Sequence, residues 1–369
     1  MNITQTIKHL DWLLIAAVFL LSGLGLLTVY SAGNSGSAFF EKQLIWLSIG
    51  FFVMLAVSFF DYRIFKNYSS SVLGIYLFAV VLLLFLFIFG SNIRGSLAWF
   101  RFGGVAFEPV ELVKLVLIIT LAKYFSARHT EIYRWHHFIV SGIYVSLPLL
   151  LVLVQPDFGS AAILFFIWLG LLAIAGLKAK HFLVLVSLLL VVSFFGWSYV
   201  LHNYQRERLS SFLSPQSDPL GAGYNILQST IAVGSGGWLG KGLGRGTQSQ
   251  LNFLPEQHTD FIFAAIAEEW GFFGVLFLIS LLAFIFWRLA KSALSASNNF
   301  SKFFISGFMI LILTHGFVNI GMNLGILPIT GISLPFVSYG GSNLLMNFLA
   351  IGLIQSIRVR QIEFEKDEE

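Results

Sequence analysis

The chain carries about ten apolar stretches long enough to cross a bilayer, near residues 12–31, 44–60, 72–90, 110–127, 138–154, 160–176, 182–201, 261–287, 303–324 and 343–357. A hydrocarbon core of roughly 30 Å takes roughly 17 to 25 helical residues, so this feature alone removes every soluble architecture. Strands of a membrane barrel would be about ten residues long and would alternate polar with apolar. Val80-Val81-Leu82-Leu83-Leu84-Phe85-Leu86-Phe87 has no such alternation. Only 11% of the residues are charged and 57% are hydrophobic, where soluble domains hold about 25% charged residues. No polar segment is long enough to fold alone. The expected fold is an all-α polytopic membrane bundle of about ten helices, one domain over residues 1–369, closed by a short acidic tail at 359–369.

Orientation follows from the basic residues, because short connections rich in Lys and Arg stay on the cytoplasmic side. With the N-terminus inside, the inner connections hold Lys8, Arg63, Lys66, Lys123, Arg128, Arg134, Lys178, Lys180, Arg288, Lys291, Lys302, Arg358, Arg360 and Lys366, most of the 22 Lys and Arg present. Both termini are then cytoplasmic, and a large outer loop at about 202–260 joins the seventh and eighth helices. The formal net charge of +4 is what such connections produce, so it does not point to a nucleic-acid partner. The first apolar stretch is longer than the roughly 7–15 apolar residues of a secretory signal, and it reads as an uncleaved anchor despite Ser31-Ala32-Gly33. With no cysteine, disulfide and thiol chemistry are excluded. A bacterial plasma membrane suits these properties.

Most connections are short, and the two that are not, residues 91–109 and 202–260, are where function is sought. The second is dense in glycine, from Gly221 to Gly246, which lets backbone approach a ligand or fold tightly on the bundle. Gly242-Leu243-Gly244-Arg245-Gly246 lacks the Lys-Ser or Lys-Thr of a phosphate-binding loop and follows no strand, so neither a nucleotide nor another organic cofactor is expected. A third irregular segment, Gly325 to Asn343, carries Pro328, Gly331, Pro335, Gly340 and Gly341 between two helices. Its apolar content suggests a re-entrant or broken-helix element, which survives at membrane depth only against protein or a wet cavity. No inverted repeat of the transporter kind is visible.

The most chemically loaded stretch is Leu254-Pro255-Glu256-Gln257-His258-Thr259-Asp260-Phe261-Ile262-Phe263. In an extended segment alternate side chains point the same way, so Glu256, His258 and Asp260 would converge on one substrate or one cation beside lipid. Asp260 also stands where a helix N-cap would. A capping carboxylate is a weak base, whereas a general base keeps an accessible lone pair, so the two roles compete. Glu268 and Glu269 lie inside the following apolar run; each charge would cost about 2.5 to 3.5 kcal/mol at mid-membrane, so both must face the bundle interior or a partner. Glu111 and Lys114, at i and i+3, can pair on one helix face, as a structural ion pair or as a substrate contact. Arg94 and Arg101 suit a diphosphate, and Trp99 between them suits the interface or a sugar face. Asp157, in Gln155-Pro156-Asp157-Phe158-Gly159, is another cap or another site acid. His315, Asn319 and Asn323 form a polar stripe at i, i+4 and i+8, a pattern for interhelical hydrogen bonds.

Taken together the motifs become specific. Asn319-Ile320-Gly321-Met322-Asn323 through Pro335-Phe336-Val337-Ser338-Tyr339-Gly340-Gly341-Ser342 resembles the signature of the SEDS family (shape, elongation, division and sporulation), the RodA and FtsW proteins. Glu108-Pro109-Val110-Glu111-Leu112-Val113-Lys114, the Gln155–Gly159 block and the Leu254–Phe263 block resemble that family's other motifs in the same order. One departure is Glu108, where the family usually has Gln. The short tails and Asp11-Trp12 resemble the RodA branch.

This resemblance implies ten membrane helices and a peptidoglycan glycosyltransferase that polymerises lipid II on the outer face of the membrane for cell-wall elongation. It implies that Asp260 is the catalytic acidic residue. Arg94, Arg101, Arg206, Arg208 and Lys241 are the cations expected at the diphosphate; Trp99, Glu111, Lys114, Asp157, Glu256, His258 and Ser338 complete the expected substrate-contacting set. A divalent cation, Mg or Mn, is expected to share the charge work, with Glu256 and Asp260 as possible ligands. Expected partners are the lipid-linked glycan, a class B penicillin-binding protein transpeptidase and other membrane proteins of the elongation complex. A lipid II flippase, a non-catalytic scaffold for a class B penicillin-binding protein, and a division-type or sporulation-type member are the alternatives; the first requires a polar route through to the cytoplasm, and the second makes Asp260 dispensable.

Overall fold

The computed structural model describes residues 3–32, 38–93, 96–102, 105–128, 131, 134–176, 178, 180–187, 212, 214, 223–251 and 253–367. Lipid offers no partner for backbone polar groups, so each apolar stretch closes its own hydrogen bonds as a helix. In chain order these are α1 (Ile3–His9), α2 (Trp12–Ala32), α3 (Ala38–Phe59), α4 (Arg63–Asn67) and α5 (Ser69–Phe89). There follow α6 (Pro109–Arg128), α7 (Trp135–Val154), α8 (Phe158–Ala175), α9 (Tyr224–Ser235), α10 (Thr247–Gln250), α11 (Ile262–Leu294), α12 (Asn299–Asn323) and α13 (Gly341–Asp367). Among the described residues eight of these helices are long and apolar enough to cross a membrane. The chain is thus a multi-pass membrane protein. Helix α6 matches them in length but carries Glu111, Lys114, Lys123 and Arg128. Of the stretch expected at 182–201, residues 182–187 are helical and the rest lies outside the described residues, as do Arg94, Arg206 and Arg208.

The all-helical expectation needs one correction. Three short strands, β1 (Ser91–Ile93), β2 (Ser96–Phe102) and β3 (Val105–Phe107), form a small antiparallel sheet in the order β1-β2-β3. The pairs Ser91 with Trp99 and Arg101 with Ala106 set its register. The period of two is visible in β2, where Ala98 and Phe100 are buried and the intervening Trp99 and Arg101 face the other way, partly or fully exposed.

Small residues bring the helices close, as is usual where lipid gives no hydrophobic drive for helix pairing. At the α3–α13 contact a Cβ on Gly50 would stand 2.6 Å from the Phe348 ring, and one on Gly352 would stand 2.7 Å from the Met54 carbonyl. At one end Asp11 ties three helices together: its Oδ1 accepts from the Leu14 amide at 3.1 Å, starting α2, and its Oδ2 accepts from Arg288 of α11 and Arg358 of α13.

Helix α11 is broken at Gly271, whose φ of 66° and ψ of −161° are not helical. Residues 237–242 fill the break. The amides of Lys241 and Gly242 donate to the carbonyls of Glu268 and Glu269 at 2.9 Å, and those of Phe272 and Phe273 donate to Gly237 and Trp238 at 2.9 and 3.3 Å. Such close approach requires glycine: a Cβ on Gly240, at φ 75°, would lie 2.1 Å from the Glu269 carbonyl oxygen. Of the two uses sequence leaves open for the glycine-rich loop, folding tightly onto the bundle is the one this segment performs.

Candidate functional site

Asp260 lies in the connection that feeds α11, and residues 254–261 are a run of tight turns, not an extended segment. Glu256 takes a positive φ of 53°, and its carbonyl accepts from the amides of Thr259 and Phe261 at 3.1 and 3.2 Å. The alternation expected to aim Glu256, His258 and Asp260 together is therefore absent. Glu256 turns back to accept from Thr259 Oγ1 at 3.0 Å. His258 packs its ring on Phe39, with centroids 4.2 Å apart, and meets Tyr339 at 5.7 Å.

The cap position of α11 falls on Phe261, which offers no capping side chain. Asn323 Oδ1 accepts from the Ala264 amide at 3.1 Å instead. The polar stripe on α12 also holds the acid's backbone: Asn319 Nδ2 and Asn323 Nδ2 each donate to the Asp260 carbonyl at 3.0 Å. The two preceding carbonyls are held from the irregular segment, where Ser338 Oγ donates to Thr259 at 2.7 Å and the Tyr339 amide donates to His258 at 2.8 Å. Three consecutive main-chain carbonyls are thus fixed, while the half-buried carboxylate of Asp260 lies beside Gly331, where a Cβ would stand 3.7 Å from Oδ2.

The segment between α12 and α13 is the hub of the site. Leu334, Phe336, Val337 and Ser338 are buried, against protein as membrane depth demands. A Cβ on Gly25 of α2 would come within 2.2 Å of the Val337 carbonyl, and one on Gly159 of α8 within 2.6 Å of the Thr330 carbonyl. From α3, Gln43 Nε2 donates to the Ser338 carbonyl at 3.2 Å. Gly159 stands two residues from Asp157, so the same segment brings the Asp157 block and the Asp260 turn to one place. Asp157 caps α8, its Oδ1 accepting from the Ser160 amide at 3.0 Å. The Gln155 carbonyl accepts from Leu97 of β2 at 3.4 Å, which attaches the strand bearing Trp99 and Arg101 to this end.

Glu108, half-buried just before α6, reports the resulting field. Burial first, and then the negative charges of Glu111, Asp157 and Asp260, push its carboxyl well above the ordinary carboxylate range, with Lys114 opposing. The Glu108 amide donates to Ser342 Oγ at 3.0 Å. In the sequence the Glu108 side chain is only a departure from a family pattern; its place among the acids emerges from the packing.

Several residues of the expected substrate-contacting set make their contacts inside the protein. Lys114 is fully buried, its Nζ 2.8 Å from Glu111 Oε1 and 3.3 Å from His315 Nε2. Asn343 Nδ2 donates to Glu111 Oε2 at 3.1 Å, and His315 Nδ1 is 3.2 Å from the Ser333 carbonyl. The polar atoms of the pair are thus matched by the interior. Ser338 also accepts from the Leu334 amide at 2.8 Å, which commits its hydroxyl on both sides. Lys241 Nζ lies 2.8 Å from both Glu268 Oε1 and Thr247 Oγ1. As expected, Glu268 and Glu269 face inward: the Glu268 carboxylate also takes the amides of Gln248 and Ser249, while Glu269 Oε1 accepts from Ser31 Oγ at 2.5 Å. Among the described residues no three His, Asp or Glu side chains are grouped so as to hold one metal ion, and the turn at Glu256 is the reason Glu256 and Asp260 do not join His258 in such a group. Phe39 enters the site without a sequence signal, since only tertiary packing brings it there; Tyr339 and Asn343 lie in the irregular segment singled out in the sequence, which did not give their contacts.

Comparisons with known proteins agree with this architecture. The family model described as a cell cycle protein, that of FtsW, RodA and SpoVE, matches residues 5–363. The peptidoglycan glycosyltransferase MrdB of Escherichia coli (strain K12) is 35% identical over 362 residues, covering 96% of this chain and 94% of that protein. Stage V sporulation protein E of Bacillus subtilis is 35% identical over 356 residues, covering 94% and 96%. Among solved structures, a chain from a peptidoglycan synthase complex that coordinates polymerization and crosslinking superposes with a TM-score of 0.82 at 33% identity, covering 95% of this chain and 97% of that one. The rod shape determining protein RodA of Thermus thermophilus gives 0.70 at 27% identity, with coverage of 95% and 96%. With the family model spanning nearly the whole chain, and its motifs assembled around one turn, the chain belongs to the FtsW, RodA and SpoVE family of SEDS membrane proteins.

Proposed function

We propose that the chain is a peptidoglycan glycosyltransferase that polymerises lipid II, with Asp260 as general base. The reading rests on one observation above the others: the backbone of Asp260 is fixed by Asn319 and Asn323 while Asn323 takes over the capping of α11. A carboxylate whose main chain is held in this way can be aimed at a hydroxyl and accept its proton. In this reading Asp260 removes the proton of the acceptor sugar's 4-hydroxyl. That oxygen attacks the anomeric carbon of the lipid-linked donor, the bond to the diphosphate breaks, and a β-1,4 linkage forms with inversion.

The leaving diphosphate needs charge stabilisation more than protonation. Arg101, exposed on β2, supplies it, and Trp99 on the same face offers a surface to a sugar. The described residues do not fit a protein-built metal cage, so no step runs through one; a divalent cation belongs with the substrate's own phosphates. The active site faces outward and both termini are cytoplasmic, in keeping with the basic inner connections. A class B penicillin-binding protein is the transpeptidase partner that would crosslink the product, an assignment supported by the resemblance to a peptidoglycan synthase complex.

The test is a polymerisation assay on purified protein with its transpeptidase, lipid II and a divalent salt, with products resolved on a gel. Wild type should make long glycan strands, and Asp260→Asn should make none while keeping its thermal midpoint. Strands made by the variant at the wild-type rate would remove Asp260 from the chemistry.

A further inference from the structure

Away from the Asp260 region, the end of α6 and the start of α7 border a half-open cavity of about 320 Å³. Arg128 stands 17 positions after Glu111, so at about 1.5 Å per residue the cavity lies roughly 25 Å along α6 from the Glu111 pair. Its wall includes Arg128, Arg134, His136 and His137, with Glu131 as the acid among its lining residues.

The cationic wall is built around a buried ring. His137 is 5% exposed; its Nδ1 is 2.8 Å from Tyr124 Oη and its Nε2 is 3.5 Å from Glu131 Oε2. The same Glu131 oxygen is 3.4 Å from Arg134 Nη1. One carboxylate thus gathers an imidazole and a guanidinium at the cavity while leaving a surplus of positive charge. Planar guanidinium groups beside imidazoles suit a phosphate.

The surroundings decide which phosphate. Trp135, 45% exposed, opens α7 next to the cavity, the position of an interfacial aromatic residue. From His136 in the cavity wall, a stripe at helical spacing runs along α7 through Ile139, Ile143, Leu147 and Leu150, which are 55%, 60%, 44% and 57% exposed. A headgroup in the cavity would lay its acyl chains on this stripe. We infer that the cavity binds the phosphate headgroup of an anionic phospholipid, which positively charged pockets between membrane helices are suited to do. This inference is independent of the assignment of Asp260.

The test compares wild type with the Arg128→Gln/Arg134→Gln variant, both delipidated in detergent and titrated with phosphatidylglycerol or phosphatidylcholine, with bound lipid counted by native mass spectrometry. Wild type should hold at least one phosphatidylglycerol more tightly than the variant by at least about tenfold, since the loss of even one of the two charge-assisted contacts is worth about that much, and phosphatidylcholine should not distinguish them. An Arg128→Lys/Arg134→Lys protein should recover part of the difference, which separates charge from folding. Equal phosphatidylglycerol binding by all three proteins overturns the proposal. Displacement of the lipid by an equal concentration of inorganic phosphate would overturn the lipid assignment in favour of a free anion.

Discussion

Replacing Lys114 by Met probes the buried pair that joins α6, α12 and α13. The two charges are 2.8 Å apart, which at an effective dielectric constant of about 20 gives a gross attraction of about 6 kcal/mol. Most of that attraction is offset by the desolvation of both ions, so the pair's net worth is small. Removing Lys114 alone is different. It leaves the Glu111 carboxylate, 7% exposed, with the Asn343 amide and no cation, and losing one partner of a buried pair costs about 3–5 kcal/mol. The Glu111→Gln/Lys114→Met double variant keeps similar volumes and strands no charge, so it should be more stable than Lys114→Met. Thermal unfolding in detergent of wild type, both single variants and the double variant closes the cycle. Additivity of the two single costs would refute a structural pair. Loss of polymerisation in a double variant of wild-type stability would show that the pair acts on substrate as well.

Three further outcomes follow from the geometry. Asn323→Ala deprives the Ala264 amide and one bond to the Asp260 carbonyl together; it should cost about 1–3 kcal/mol by thermal unfolding and lower the polymerisation rate per folded molecule, and an unchanged rate would separate Asn323 from Asp260. Gly240→Ala forces a Cβ to 2.1 Å from the Glu269 carbonyl at φ 75°, so destabilisation of at least about 1–3 kcal/mol is expected, and a wild-type midpoint would show that the loop is not seated in the break. Glu108 holds its proton above the ordinary carboxylate range, so its contribution is complete below that range and is lost as pH rises through the raised value. Glu108→Gln should therefore gain in midpoint over wild type as the buffer moves from acidic to mildly alkaline; a gap that narrows with rising pH would reverse the sign and sink the argument.

Helix existence was legible because lipid makes length and apolarity decisive: the span expected at 12–31 is observed as Trp12–Ala32, and that at 160–176 as Phe158–Ala175. The α12 stripe was legible for a related reason, since His315, Asn319 and Asn323 recur every fourth residue inside an apolar run of spanning length, which a helix places on one face. The small sheet was not, because three-residue strands carry too little alternation to stand out between apolar runs. The Glu256–Asp260 pattern failed through turn chemistry: a positive φ at Glu256 breaks the alternation that an extended chain would have, and no residue type there announces it. The internal roles of Lys241 and Ser338 depend on segments far apart in sequence, which a single chain read in order does not reveal.

The interruption at Gly271 makes α11 two rods joined by a splint. The short rod, from Ile262 to the break, begins beside Asp260; the long rod ends near Asp11's partner Arg288. Four backbone hydrogen bonds from residues 237–242 bridge the joint, and lifting the splint would expose all eight polar groups at once where lipid offers nothing in exchange. The short rod therefore takes its bearing from the glycine-rich loop as much as from the long rod, so a segment that contributes no side chain to the acid helps position the helix that begins beside it.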